Sequence, residues 1–292
     1  MLIMPSTLGP RPLDEMLVCS LVPTLGSLGR TWKHEAPEPH RGHRPHGVPV
    51  YVCPETPALV VLLANTPVDL QQAAAQTADA APYKDAETGI VFKTWSAGSG
   101  GASAAGGPFT FGLALPEDAL TKDADEYIGL LRCHIANNAV PGYCGLSHGE
   151  SGQMTQALLL MAWPFNGTVY TSFRYATGYN MPVPYTGNAT LTQISSTFKA
   201  GQFELIYRCK GCFSWSQGGT TGSVSTKSGN LVLGRAAAKT NLHNPACPDK
   251  AFFGFHDNGY GQWGANLEGT AQKDYAKWAA MSIPTAATEC TK

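Results

Sequence analysis

The sequence predicts an all-β protein, an antiparallel sandwich or barrel, on three observations. Short segments rich in β-branched and aromatic residues recur along the chain and are separated by turn residues. Charged residues make up only 14% of the chain, whereas its 292 residues include 32 Gly and 21 Pro, a composition typical of many strands joined by turns. Convincing helical periodicity is confined to one segment. The predicted strands are residues 90–95, 109–115, 127–133, 157–162, 168–175, 203–208 and 231–233.

The local pattern is most specific in three segments. Residues 168–175 alternate with the two-residue period of a half-buried strand, and residues 271–281 predict a short C-terminal helix. Residues 259–264, Gly-Tyr-Gly-Gln-Trp-Gly, match the formal dinucleotide fingerprint. A true fingerprint lies between a strand and a helix of a βαβ unit, which is missing here, so this run is predicted to be a loop.

The chain is predicted to contain one folded domain, residues 81–283. Residues 1–80 show no sustained period and carry clustered Pro, Gly, Arg and His, so this segment is expected to be disordered or wrongly assigned to the chain. Residues 284–292 are expected to form a flexible tail. The N-terminus shows no readable signal peptide, although the apolar run 57–64 resembles the apolar part of one, which suggests a true start further downstream.

Charge and hydropathy exclude two classes of partner. The formal net charge is −1, with 20 Lys and Arg against 21 Asp and Glu, and no basic run lies on a periodic segment, so nucleic acid is excluded. The longest apolar run, residues 57–64, is far shorter than the 18 or so residues of a membrane span.

Cysteines and sequons indicate an oxidising, extracellular location. The eight cysteines include Cys133 and Cys144, which bracket a loop, and the pair Cys209 and Cys212, which would be a bridge, a redox pair or half of a metal site. Asn166 and Asn188 each begin a glycosylation sequon. We therefore expect a secreted glycoprotein with disulfides.

Two residues stand out as candidate ligands of a metal. Met154 and His256 each lie in a Gly-rich loop next to an apolar strand, although such residues are more often a core methionine and a satisfied histidine. Phe213 follows the Cys209–Cys212 pair where a covalently attached haem requires His, so any haem is non-covalent. No Gly-x-Ser-x-Gly motif is present to anchor hydrolase chemistry.

These residues lie in segments that resemble the cytochrome domain of fungal cellobiose dehydrogenases, from about residue 83 to about residue 280. The resemblance implies an antiparallel β-sandwich of immunoglobulin-like type with a short C-terminal helix, holding one non-covalent haem b. The segments that carry it are residues 88–95, 154–163, 174–179, 208–212, 244–249 and 256–259.

The resemblance also assigns roles at the site. Met154 and His256 match the two axial ligands of the haem iron, and Tyr179 matches a tyrosine that meets a haem propionate. Arg174 would supply positive charge to the propionate or be a plain surface residue. The loop before Met154 is about two residues longer than the family's and contains His148, which is expected to be a solvated residue but is a competing axial ligand.

The resemblance implies an extracellular b-type cytochrome in lignocellulose degradation. It would pass single electrons from a flavin-dependent sugar dehydrogenase, or another reductant, to copper polysaccharide monooxygenases, ferric iron or quinones. Met and His together leave no open coordination position on the iron, which suits outer-sphere electron transfer. Ferric reductase activity is compatible with this role, but no flavin-binding segment is present, so a complete cellobiose dehydrogenase is not expected.

Two alternatives stay open from the sequence. One is a haem-free carbohydrate-binding β-sandwich, in which Trp215 and Trp263 would stack on sugars. The other is a copper monooxygenase that uses an amino-terminal histidine, for which no candidate follows a plausible cleavage site.

Overall fold

A computed structural model describes residues 80–97, 109–134, 142–199, 201–239, 242–284 and 290. The segment predicted to be disordered, residues 1–80, lies outside these apart from Ala80. The described part is built mainly of antiparallel strands, as predicted, and they form two large sheets and two small hairpins.

The first sheet has the strand order β1-β2-β3-β4-β10-β9, and these neighbours are all antiparallel. A short strand, β17 (Ala271–Gln272), adds to it in parallel at Leu115 and Pro116 of β3. The six antiparallel strands of this sheet are β1 (Ala80–Lys84), β2 (Val91–Ala97), β3 (Phe109–Pro116), β4 (Glu126–His134), β9 (Thr190–Lys199) and β10 (Gln202–Lys210).

The second sheet has the order β16-β13-β5-β6-β7-β8 and is antiparallel throughout. Its strands are β5 (Tyr143–Ser147), β6 (Leu158–Phe165), β7 (Thr168–Tyr175), β8 (Val183–Pro184), β13 (Asn230–Ala238) and β16 (Tyr260–Asn266). The hairpins pair β11 (Ser214–Gln217) with β12 (Thr220–Ser223) and β14 (Leu242–His243) with β15 (Phe252–Phe253). A 3-10 turn (Thr226–Ser228) and one helix, α1 (Tyr275–Ala279), complete the described elements.

Strand β6 has apolar side chains on both faces because each face is covered. Leu158 and Leu160 pack between the two sheets, whereas Leu159 and Trp163 lie on the opposite face of the second sheet. Burying each such side chain contributes about 1.5–3 kcal/mol. The second face carries a separate group, which we call the outer apolar cluster: Tyr143, Ala157, Leu159, Met161, Trp163, Tyr170, Ala176, Ala238, Leu242, Ala251 and Phe253.

The C-terminal helix is shorter than predicted. It spans Tyr275–Ala279, and the residues before it form β17 instead. The chain enters β17 beside β3, where the Leu115 N–H donates to the Thr270 carbonyl at 2.8 Å. Sheet pairing therefore satisfies the backbone of the first predicted turn, and the buried face of the helix consists of Tyr275, Trp278 and Ala279.

The loop predicted for residues 259–264 is wrong, because most of this run belongs to β16. Trp263 and Ala265 face the sandwich interior with the alternation of a strand. The backbone pairs with β13, for example Gly264 with Val232. The three glycines of this run favour a turn, but the pairing of the strand with β13 outweighs their weak strand preference.

Three disulfides lie within the described residues. Cys133 of β4 bonds to Cys144 of β5, which joins the two sheets covalently. Cys209 and Cys212 form a bridge, which answers the question left by their spacing. The third disulfide links Cys247 to Cys290, a residue of the predicted tail. None of the helices in the described ranges is long and apolar enough to cross a membrane.

Candidate functional site

Met154 packs against the outer apolar cluster, and the loop of His256 begins directly after Phe253, a member of that cluster. Met154 is half-buried in the loop that precedes β6, and its side chain packs against this cluster. His256 is half-buried in the loop between β15 and β16, three residues after the cluster residue Phe253. The Tyr143 hydroxyl, also in the cluster, donates to the Gly254 carbonyl at 2.5 Å and holds the second loop there. The fold thus packs the Met154 side chain on this cluster and ties the loop of His256 to Tyr143, one of the cluster's residues.

The loop that carries Met154 is anchored by close backbone packing. Gly152 has a φ of 67°, in the left-handed region, and it lies against β13. A Cβ atom added to Gly234 of β13 would come within 1.8 Å of the Gly152 carbonyl oxygen. The Ser147 hydroxyl also donates to the Gln153 carbonyl, next to Met154. Glycine is therefore required on both sides of this contact.

The His256 ring packs against two aromatic rings, which also contact each other. Its centroid is 4.3 Å from that of Phe255 and 4.6 Å from that of Tyr260. Its Nδ1 atom is buried and has no hydrogen-bond partner within the described part of the chain. Burial lowers the pKa of His256, which favours the neutral imidazole, the form that binds metals. Sequence reasoning missed both aromatic neighbours, although Phe255 directly precedes His256 and Tyr260 follows it by four residues.

The surface around these loops is unusually apolar. Large hydrophobic side chains that are exposed within the described ranges all fall in two segments, around β8 and between residues 252 and 260. The segments touch, because the Phe253 N–H donates to the Met181 sulfur at 3.4 Å. Such a patch marks the place where a ligand or partner covers the protein. The exposed residues are Tyr179, Val183, Phe252, Phe255 and Tyr260.

Arg174 is buried, which excludes the surface-residue alternative. Four of its five N–H groups have acceptors, and its guanidinium carbon lies 5.0 Å from the Phe253 ring centroid. Burial lowers the pKa of Arg174 to about 10, so the side chain stays charged at neutral pH. The acceptors are the Ser172 hydroxyl and the carbonyls of Pro182, Pro248 and Ala251.

Tyr179 is 83% exposed, in the connection between β7 and β8. Its phenol is accessible at the rim of the apolar patch and close in sequence to Met181, which contacts Phe253. An accessible phenol is a suitable donor to an anionic group of a bound ligand.

The prediction that His148 is a solvated loop residue is wrong. His148 is fully buried inside the sandwich. Its backbone N–H donates to the Leu158 carbonyl, which extends the pairing of β5 with β6 by one residue. Its Nε2 accepts from the Tyr127 hydroxyl at 2.5 Å, and its Nδ1 lies 3.1 Å from the Leu158 oxygen. Burial lowers the pKa of His148 to about 4. Both ring nitrogens are therefore occupied in the structure.

The indoles named for sugar stacking are not available at the surface. Trp215 and Trp263 are 4% and 6% exposed and belong to the sandwich interior. A groove of about 700 Å³ lies beside Trp215 and is lined also by Glu150, Tyr185 and Asn188, but Met154 and His256 are not part of its wall. Within the described ranges, no group of three or more His, Cys, Asp or Glu side chains is placed to hold a metal ion.

Comparison with known proteins identifies the family. Residues 83–277 match the family described as the cytochrome domain of cellobiose dehydrogenase. The chain is 46% identical to the solved cytochrome domain of Myriococcum thermophilum cellobiose dehydrogenase, with a TM-score of 0.66 over 71% of this chain and 98% of that one. The solved cytochrome b domain of Coprinopsis cinerea pyranose dehydrogenase shares the fold, with a TM-score of 0.57, 24% identity and coverage of 72% and 100%.

A curated relative is much longer than the region that it shares with this chain. It is a pyrroloquinoline quinone-dependent pyranose dehydrogenase of Coprinopsis cinerea, 29% identical over 187 residues, which make up 63% of this chain and 23% of the relative. The family match, by contrast, covers well over half of this chain and both candidate ligands. The chain therefore belongs to the family of cellobiose dehydrogenase cytochrome domains.

Proposed function

We propose that this protein is an extracellular b-type cytochrome that holds one non-covalent haem between Met154 and His256 and transfers single electrons. One observation carries the proposal: the Met154 thioether packs against the outer apolar cluster, and His256, whose buried Nδ1 has no partner within the described residues, follows Phe253 of that cluster by three residues. These donors suit haem iron, and the apolar surface suits the porphyrin.

This chain's residues would bind and orient the cofactor. When bound, a haem with Met and His ligands supplies reversible one-electron chemistry and offers no open iron position. Phe255 and Tyr260 would hold the His256 ring and keep water from it. Tyr179, and the remaining N–H of the charged Arg174, are the proposed donors to the propionates.

The ligand assignment is tested with two methionine variants. Met154→Ala is expected to lower the reduction potential, or to let carbon monoxide bind the ferrous iron, because the thioether is lost. Met181→Ala is the matched control, since Met181 is also partly buried against the outer apolar cluster. It should keep a six-coordinate spectrum and a haem removable by acid–acetone. If Met181→Ala is the variant that binds carbon monoxide, the assignment of Met154 is wrong although the cytochrome proposal survives.

The electron donor is proposed to be a sugar dehydrogenase. By family resemblance this is a flavin enzyme, and the curated relative supports a second candidate, a pyrroloquinoline quinone enzyme. Copper polysaccharide monooxygenases, ferric complexes or quinones are the proposed acceptors. Stopped-flow mixing of the oxidised cytochrome with each reduced dehydrogenase should show which donor reduces the haem. Cellobiose alone should leave the haem oxidised, and its reduction in a pure preparation would contradict the proposal.

Secretion with glycosylation is supported by the accessibility of both sequons. Asn166 is exposed in the turn between β6 and β7, with a φ of 49°, and Asn188 is exposed just before β9. Together with three disulfides, this suits an oxidising compartment. Treatment of secreted protein with an N-glycosidase should lower its mass, and Asn166→Gln and Asn188→Gln should show which site carries sugar.

A further inference from the structure

We propose that Trp215 is a positioning residue for Met154, acting through the backbone of Gln156. The inference rests on the proposed haem site and extends it to Trp215, a residue of the sandwich interior. It starts from one backbone conformation. Gln156 has a φ of 56°, in the left-handed region, two residues after Met154. Residues other than glycine rarely adopt this conformation unless surrounding contacts enforce it, and such positions often mark functional sites.

Two hydrogen bonds hold the backbone of Gln156, one at its N–H and one at its carbonyl. Its N–H donates to the Ala176 carbonyl at 2.7 Å, just beyond the end of β7. Its carbonyl accepts from the Trp215 indole N–H at 2.9 Å. Thr155 also forms an isolated bridge with Ala176. The chain leaving Met154 is therefore held by two separate parts of the fold.

Trp215 is a rigid donor. It lies in β11, just after the Cys209–Cys212 disulfide, and its ring is buried in the sandwich interior. Gly222 of the paired strand β12 faces the ring so closely that an added Cβ atom would come within 2.5 Å of it. The ring therefore packs closely against the Gly222 backbone, with its N–H directed at the Gln156 carbonyl.

This rigidity bears on the ligand rather than on the fold alone. A thioether is a weak iron ligand, so its binding depends on how little conformational entropy its segment loses when it binds. A segment already held at Gln156 presents Met154 in one position. Breaking the indole hydrogen bond should therefore increase the fraction of time during which the Met154 sulfur is not bound to the iron.

The test is the rate at which carbon monoxide binds the ferrous haem, together with the reduction potential. Trp215→Phe keeps an aromatic ring and removes the donor, and the rate should rise about fivefold, the factor given by a hydrogen bond worth about 1 kcal/mol. Trp263→Phe is the matched control, because Trp263 is also buried in the sandwich but its indole N–H has no partner within the described residues. Its rate and potential should equal those of the wild type.

A second variant separates positioning from folding. Gln156→Gly adopts a positive φ without strain, so its melting temperature should not fall, yet its flexibility should raise the carbon monoxide rate. Unchanged rates and potentials in both Trp215→Phe and Gln156→Gly, with haem retained, would overturn the inference. If the haem spectrum of Met154→Ala is the same as that of the wild type, the proposed ligand is wrong instead. The two failures are therefore distinguishable.

Discussion

Replacing Arg174 by Met tests what its buried charge does. The guanidinium donates to Ser172 on its own strand and to three backbone carbonyls of two neighbouring loops. The methionine side chain fills part of the space but donates nothing. Three carbonyls then lose a charged donor in a buried region. We therefore expect both loops to loosen, and one of them, residues 244–251, leads directly into β15 and the loop of His256.

The expected loss in the free energy of unfolding of Arg174→Met follows from these contacts. A hydrogen bond to a charged group contributes about 1.5–3 kcal/mol, and such contributions are not additive within one network. A loss of about 4 kcal/mol in the free energy of unfolding is a reasonable sum for four bonds. For a domain of this size it corresponds to a fall of about 12 °C in melting temperature.

Denaturant unfolding of the haem-free and haem-bound protein measures the effect, with Arg132→Met as the control. Arg132 pairs with Glu204 but its side chain is 31% exposed, so its loss should cost about 0–1 kcal/mol. Equal free energies of unfolding for the two variants in both forms would refute the reasoning. A loss seen only with haem bound would show that Arg174 acts on a propionate rather than on the loops.

Two further predictions concern stability. The folded pKa of His148 is lowered to about 4, below its unfolded value of about 6.5, so the unfolded chain binds more protons between these values and stability should fall by about 3 kcal/mol as pH drops from 6.5 to 4. Urea titrations of the haem-bound protein should show this slope, and an equal slope in His148→Gln would contradict it. Replacing Cys133 and Cys144 by Ser should cost about 3 kcal/mol, against about 2 kcal/mol for Cys209 and Cys212, because the first bridge spans 11 residues and the second 3. Denaturant midpoints check the order, and the reverse order would contradict the loop-length argument.

The all-β class and most central strands could be predicted because their pattern is local. Thr168–Tyr175 has the predicted bounds, since turn residues stand at both ends. β5 and β9 were missed for different reasons: β5 is only five residues long, and β9 is a mostly polar strand that is recognised by its pairing with β10. The half-buried pattern assigned to β7 was incomplete, because Ser172 and Arg174 on its second face are buried as well.

The sequence by itself determined the fold class, the family resemblance and the choice of Met154 and His256, because each of these lies in a contiguous pattern. Only the tertiary structure decided the environment of the other site residues. Arg174 meets acceptors 74 and 77 residues away, and Trp215 meets Gln156 across 59 residues. Burial of His148 likewise depends on Tyr127, which belongs to the opposite sheet. A charged, imidazole or indole side chain looks the same in the sequence whether water or a buried partner satisfies it, and long-range packing makes that difference.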